Sequence, residues 1–368
     1  MLTVIGLAHR LRIPIAVAVA LLAGASLIAL SGVNPFEAYT TLFRGAFLDW
    51  YGLGGTLVKT SPLLLAGLAV VIPLRAGLLN IGGEGQIYMG GLGASVAALY
   101  LPGLPTLLHI VLCVLAGALA GGLWGLIPAY LKAYRGINEV ITAILLNFIA
   151  INLVSYLAGG PMMQAGAPYP YSNEISEALW LPLILSGTDA HVGVIIGAVL
   201  ALVAYYVLNH TTVGFALDTV GAGDAVARYA GIAVRRQLLG AMFVGSACAG
   251  LAGSFEVLGL KYRLYHLFSP GFGFDGILVA FLAALNPLLV PVSAFFLSGL
   301  KAGALTMQRA TGLDGTVIDA IQGIVILFVA TSLAFTFRRE EWRRFLDKRK
   351  LHLAEPPVAR AKAEESAR

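Results

Sequence analysis

Asn80, Glu84 and Gln86 stand close together in Asn80-Ile81-Gly82-Gly83-Glu84-Gly85-Gln86, interleaved with three glycines and flanked by apolar sequence. Two amides and a carboxylate at this density can hydrogen-bond a polar solute, or they can hold an interrupted backbone in place. The glycines favour an interruption, because glycine inside a helix costs about 1 kcal/mol relative to alanine. Unwound backbone between apolar segments is tolerated only where protein buries it or a water-filled cavity receives it. Asn80, Gly82, Gly83, Glu84 and Gln86 therefore read as a helix break lining a pathway. A short turn whose Glu84 caps the following helix N-terminus fits the same residues.

Other polar groups sit inside apolar runs. Glu256, in Ala-Gly-Ser-Phe-Glu-Val-Leu-Gly-Leu, is a carboxylate that costs several kcal/mol at membrane depth and belongs in an interior cavity, unless it reaches water near Leu260. Asn147, Asn152 and Asn286 are pathway groups or interhelical glue. No reactive cluster accompanies them. The sequence has no G-x-x-x-x-G-K-[ST] phosphate loop, no H-E-x-x-H and no G-x-S-x-G, and its six histidines are scattered. Gly-Ala-Gly-Asp-Ala-Val lacks the third glycine of a dinucleotide fingerprint. Cys113 and Cys248 both lie in apolar runs and read as packing residues. The chain is expected to be no enzyme and to bind no metal or cofactor.

The elements that must position these groups are set by composition. Of the 368 residues, 58% are hydrophobic and only 12% charged, and mean hydropathy is +0.85, which identifies an integral membrane protein. Apolar stretches at 13–32, 56–74, 107–131, 138–159, 190–208, 238–260 and 316–337 reach the roughly 20 residues needed to cross a hydrocarbon core of about 30 Å. They are apolar all round, without a two-residue period, so an all-α bundle fits and a barrel does not. The first run is too long for a signal peptide and is kept as an anchor. Residues 86–101 are needed as a further crossing. The interrupted region 274–300 divides at Asn286 and Pro287 into two short pieces, 275–285 and 288–300. About ten membrane helices are expected in one domain over 1–337, some of them short or broken.

Charge fixes the expected orientation. Net charge is +5, most of it in a tail from Arg338 with ten Lys/Arg against six Asp/Glu, as the positive-inside rule expects of a cytoplasmic segment rather than of a nucleic-acid binder. Arg75, Lys132, Arg135, Arg228, Arg235 and Arg236 fall on the same side as the N-terminus. The loop 160–189 contains no Lys or Arg and is placed outside, with Arg44, Lys59, Lys261 and Arg263 near the outer surface as mild opposing evidence. Both termini are expected in the cytoplasm, and the distal tail disordered. Ala66-Gly67-Leu68-Ala69 is echoed by Ala249-Gly250-Leu251-Ala252, each followed by a glycine-interrupted polar stretch, the pattern of an inverted-topology repeat.

The stretch 217–237, Leu-Asp-Thr-Val-Gly-Ala-Gly-Asp-Ala-Val-Ala-Arg-Tyr-Ala-Gly-Ile-Ala-Val-Arg-Arg-Gln, carries a second kind of site. Gly221 and Gly223 break the chain, Asp224 can cap a short helix over 225–230, and Gly231 ends it. Small residues beside Arg228 and Tyr229 make a protrusion able to enter a groove on a partner; a plain basic loop enforcing orientation is the alternative.

The blocks Arg-Ala-Gly-Leu-Leu-Asn-Ile-Gly-Gly-Glu-Gly-Gln-Ile-Tyr-Met-Gly-Gly-Leu-Gly-Ala-Ser and 220–259 closely resemble permease subunits of ATP-binding cassette importers of the branched-chain amino acid, ribose and simple-sugar group, most like the subgroup for nucleoside uptake. The similarity covers roughly residues 56–337. The resemblance implies a bacterial inner-membrane permease for a nucleoside or related sugar. It also implies a separate cytoplasmic ATPase that uses the ATP, a periplasmic or lipoprotein solute-binding protein, and a second, non-identical permease. By the same resemblance Gly221, Asp224, Ala227, Arg228, Tyr229 and Gly231 form the element that docks on the ATPase, and Asn80, Gly82, Gly83, Glu84 and Gln86 lie beside the translocation path. An ion-coupled secondary carrier is the competing reading, favoured by the echoed breaks but short of acidic ion ligands.

Overall fold

The computed structural model describes residues 12–324 apart from 102 and 322. The expected final span beyond 324 and the basic tail lie outside the described residues. Two compact units divide the chain, one comprising residues 1–25 and 323–368, the other 26–322. Of the first, the described part is helical: the beginning of α1 (Arg12–Leu30) and residues 323–324.

The second unit is built of helices and the segments that join them, with no named strand among the described residues. After α1 come α2 (Pro35–Phe43), α3 (Trp50–Arg75), α4 (Gly83–Tyr100), α5 (Thr106–Arg135), α6 (Glu139–Gly159), α7 (Gly193–His210), α8 (Thr212–Ala222), α9 (Asp224–Tyr229), α10 (Val234–Glu256), α11 (Phe272–Leu282) and α12 (Val290–Thr311). Among the described residues six helices are long and apolar enough to cross a membrane: α3, α5, α6, α7, α10 with its extension to Lys261, and α12 with the turn before it. The expected ten rest in addition on α1, α4, α11 and the span at 316–337.

Local sequence explains the ends. Asn34 accepts from the Phe36 amide ahead of Pro35 to start α2, and Asp49 accepts from the Gly52 amide to start α3. Asn138 caps α6, accepting from Val140 and Ile141, while Gly136 in the left-handed region ends α5 at φ 68°, where glycine alone carries no steric cost. Lys132 and Glu139 close that turn with a 3.0 Å ion pair. Two elements differ from the sequence reading. The piece expected to end at Leu300 continues to Thr311, because Lys301 and Gln308 interrupt its hydropathy without interrupting its backbone. The stretch around Gly221 is itself helical, as α8, which runs through Gly221 to Ala222, so of the two glycines expected to break the chain only Gly223 does.

The core is a reciprocal exchange of two helix pairs. The pair α3 and α4 is joined by one break, residues 76–82, and the pair α10 and α11 by another, residues 262–271. Each long helix packs against the short partner of the other pair. On α3, Ala66 abuts Gly276 of α11, and Gly67 faces Val279. On α10, Gly250 abuts Gly90 of α4, and Gly253 lies on the Ile87 carbonyl. These contacts fall on the two Ala-Gly-Leu-Ala echoes, and close approach of backbones is what small residues permit in membrane helices. α5 then covers α10 and α4, and α12 covers α3. Outward faces of α5, α6 and α7 show Leu115, Leu119, Phe148, Leu145, Leu202 and Tyr206, an apolar surface suited to lipid.

Candidate functional site

The break after α3 is held by a closed polar network. Asn80 and Gln86 form a reciprocal amide pair: Asn80 Nδ2 donates to Gln86 Oε1 and Gln86 Nε2 donates to Asn80 Oδ1, both at 2.9 Å. Asn80 also donates to the Ala69 carbonyl of α3 and accepts from the Gly82 amide. Asn147 reaches across from α6, accepting from the Gly85 amide at 2.8 Å and donating to the Ile81 carbonyl at 3.0 Å. Asn80, Gln86 and Asn147 are buried. In this conformation their hydrogen bonds are spent on one another and on the freed backbone, so they do what the sequence left open as fixing the break. A methyl group at Gly82 or Gly85 would crowd Gln86 or Asn147, and one at Gly83 would press on Gly273.

Glu84 joins the two breaks. Its carboxylate Oε2 accepts a 2.8 Å hydrogen bond from the Gly273 amide, one of the N–H groups in the first turn of α11 that have no partner within the helix. Glu84 thus sits in the first turn of α4 and caps α11 across the interface, a negative group placed at two helix N-termini. The cap expected on the following helix is instead made to α11 of the other pair. Tyr88, one turn on, donates to the Ser269 carbonyl and packs its ring 4.7 Å from that of Phe268, so α4 grips the second break along two turns.

Each break is also moored on its far side, the first to helices and the second to a loop. At the first, Arg75 donates to Asp218 of α8 at 3.1 Å and to Asn209 of α7 at 2.9 Å. A methyl group at Gly221 would overlap the Arg75 carbonyl oxygen, and Gly77, at φ 80°, faces Gly221 directly. At the second break, the loop 160–189 lies along the chain after α10: the Ser172, Ile175 and Leu181 amides donate to the Leu264, Tyr262 and Leu258 carbonyls. Trp180 stacks on Tyr262 with centroids 3.8 Å apart, and Arg263 holds Gln164 and Glu174. Tyr262 and Leu267 have φ of 57° and 53°, a region costing bulky residues about 1–2 kcal/mol each and kept only where surroundings impose it.

The protrusion predicted from Gly221 to Gly231 is present. α9 begins at Asp224, whose side chain lies in the first turn and not at the cap; Gly223 occupies that position, with φ 153°. The helix ends as expected: Gly231, at φ 74°, donates to Arg228 and Ile232 donates to Ala227, the double bond of a Schellman stop. Ala227 is buried against the body, whereas Val226 is exposed and Tyr229 is 97% exposed. Arg228 and Asp224 form a loose 3.5 Å pair beside them.

Two other predicted residues stand apart from this network. Glu256 ends α10 only 1% exposed, so the alternative of a side chain reaching water fails, and neither carboxylate oxygen has a hydrogen bond from a described residue. Asn286 lies beyond the far end of α11, where its side chain accepts from Leu288 and shapes the turn into α12. Asn152 bonds back to Phe148 of its own helix on an exposed face. Cys113 and Cys248 are free and buried.

Sequence reasoning missed a charged group between the helices. Lys301 of α12 and Asp275 of α11 form a 2.6 Å ion pair. Beside it, a cavity of about 300 Å³ is lined by Lys59, Lys301, Gln308 and Asp319 with Phe272 and Leu305.

The family model describing the permease component of branched-chain amino acid transport systems matches residues 52–330. The guanosine ABC transporter permease protein NupP of Bacillus subtilis is 37% identical over 335 residues, 90% of this chain and 96% of the relative. A glucose ABC transporter permease protein of Haloferax volcanii is 37% identical over 322 residues, 85% and 84% of the two chains. The nucleoside ABC transporter permease protein NupB of Lactococcus lactis is 30% identical over 328 residues, 86% and 89%.

Proposed function

We infer the function from one premise: the chain belongs to the family of permease components of branched-chain amino acid transport systems, and it is a permease subunit of an ATP-binding cassette importer. In this reading the cargo is a nucleoside or a related simple sugar; relatives whose names specify guanosine, nucleosides and glucose support that class. The chain works in the bacterial plasma membrane with both termini in the cytoplasm, as the basic loops favour. A separate cytoplasmic ATPase hydrolyses the nucleotide, an external solute-binding protein delivers the cargo, and a second, non-identical permease completes the pathway. This chain holds no cofactor or metal of its own.

The observation that carries the mechanism is the seat of Gly221 on Arg75. A force applied to α9 by a closing ATPase passes along α8 to the end of α3, where the backbone unwinds. From there Asn80, Gln86 and Asn147 tie the break to α3 and α6, and Glu84 passes the displacement to the first turn of α11. The second break is moored to the loop 160–189, which the charge pattern puts outside, where a solute-binding protein docks. The two ends thereby bias one equilibrium between inward-open and outward-open states, as linkage requires.

Reconstitution tests this directly. The permease pair, the ATPase and the solute-binding protein in proteoliposomes are expected to take up labelled nucleoside only with hydrolysable ATP, and equally well after ionophores collapse every ion gradient. Uptake that follows a proton or sodium gradient without ATP would establish the secondary-carrier reading, which the reciprocal packing of the two broken pairs otherwise favours.

A further inference from the structure

We propose that the cavity between α3, α11, α12 and the helical segment 315–321 is a holding site for an uncharged, hydroxyl-rich solute on its way through the membrane. The inference rests on the importer reading and adds the place and the residues. Lys301 is eleven residues into the 22-residue helix α12, which at about 1.5 Å per residue puts it near mid-depth. Lys59 is nine residues beyond the start of α3. Charged side chains at such depth are costly and mark solute or ion paths.

The lining is suited to one class of ligand. Lys59, Lys301 and the Gln308 amide donate, Asp319 and the Gln308 carbonyl accept, and Phe272 and Leu305 supply apolar wall. Asp275 neutralises Lys301, and the other two charged lining groups, Lys59 and Asp319, are one of each sign, so the lining has no net charge to attract an anion. Hydroxyl groups, which donate and accept at once, pair with both kinds of group, and a heterocycle or sugar-ring face can lie on the apolar side. The volume, about 300 Å³, is at the small end of ligand pockets and suits one ring system rather than a peptide or lipid. The Phe272 wall also begins α11, whose next amide is held by Glu84, so occupancy is felt at the junction of the two breaks.

Cysteine protection decides it. In the complete importer with Cys113→Ala and Cys248→Ala, Gln308→Cys and, separately, Leu305→Cys are treated with a small water-soluble thiol reagent. Both are expected to react, and modification is expected to block uptake. A transported nucleoside at about ten times its half-saturating concentration should slow the reaction roughly tenfold, since only the unoccupied fraction reacts; the monophosphate of the same nucleoside should not. Lack of reaction at both positions, or reaction at a rate that solute does not change while ATP-driven uptake proceeds, overturns the site. Failure of ATP-driven uptake in the unsubstituted complex would instead strike the importer reading.

Discussion

At the scale of single residues, Glu84 is the side chain that ties one broken pair to the other. It stands in the first turn of one helix and caps the first turn of another through Gly273, and hydrogen bonds to a charged group contribute about 1.5–3 kcal/mol. Glu84→Gln keeps the shape and removes the charge. Its amide oxygen still accepts from Gly273, so it is expected to lower the stability of the complex by about 1 kcal/mol, the difference between a charged and a neutral hydrogen bond, with Glu84→Ala costing more; thermal unfolding in detergent measures both. Asn80→Ala should be worse than its size suggests, because it strands the Gln86 amide, the Gly82 N–H and the Ala69 carbonyl together, each buried orphan costing about 1–3 kcal/mol. A measured loss below about 1 kcal/mol would show that water enters the network. These residues were legible in the sequence because amides and glycines are conspicuous in apolar surroundings. Their direction was not: Asn147 meets Gly85 and Ile81 from α6, 62 and 66 positions away in the chain.

At the scale of helices, the fold depends on contacts that only glycine allows. A side chain at Gly90 would overlap the Gly250 backbone, whereas Gly240, on the same helix as Gly250, faces open space. Gly90→Ala is therefore expected to force α4 from α10 and abolish assembly of the permease. Gly240→Ala should be neutral or stabilising by up to about 1 kcal/mol, as helix propensity dictates; folded yield by size-exclusion chromatography separates the two. On α9, Tyr229 touches almost nothing in its own chain, so Tyr229→Asp should leave folding unchanged and weaken co-purification of the ATPase by at least about tenfold. The long apolar helices and α9 were readable from hydropathy and from glycine punctuation. The short α11 and the full length of α12 were less so, because Asp275 and Lys301 lower local hydropathy and reveal themselves as a pair only across 26 positions of sequence. Lys59, read from charge as near the outer surface, lines a half-open cavity with Lys301, Gln308 and Asp319, neighbours that are remote in sequence.

At the scale of the whole molecule, two broken helix pairs exchange partners and meet at Glu84 and Gly273, the first moored to α7 and α8 and the second to the loop 160–189. The echo of Ala-Gly-Leu-Ala gave a faint sign of this, since small residues mark close helix approach, but the moorings depend on tertiary pairs that no spacing foretells. The central claim is that force entering at α9 reaches the first break through Arg75. Charge reversal at Arg75 tests it in the complete importer, with uptake and ATP hydrolysis measured in the same proteoliposomes. Arg75→Asp opposite Asp218 should reduce solute moved per ATP hydrolysed by about tenfold or more, since interactions of charged networks run to a few kcal/mol, and adding Asp218→Arg should restore most of it. Unchanged transport per ATP in Arg75→Asp would contradict the claim.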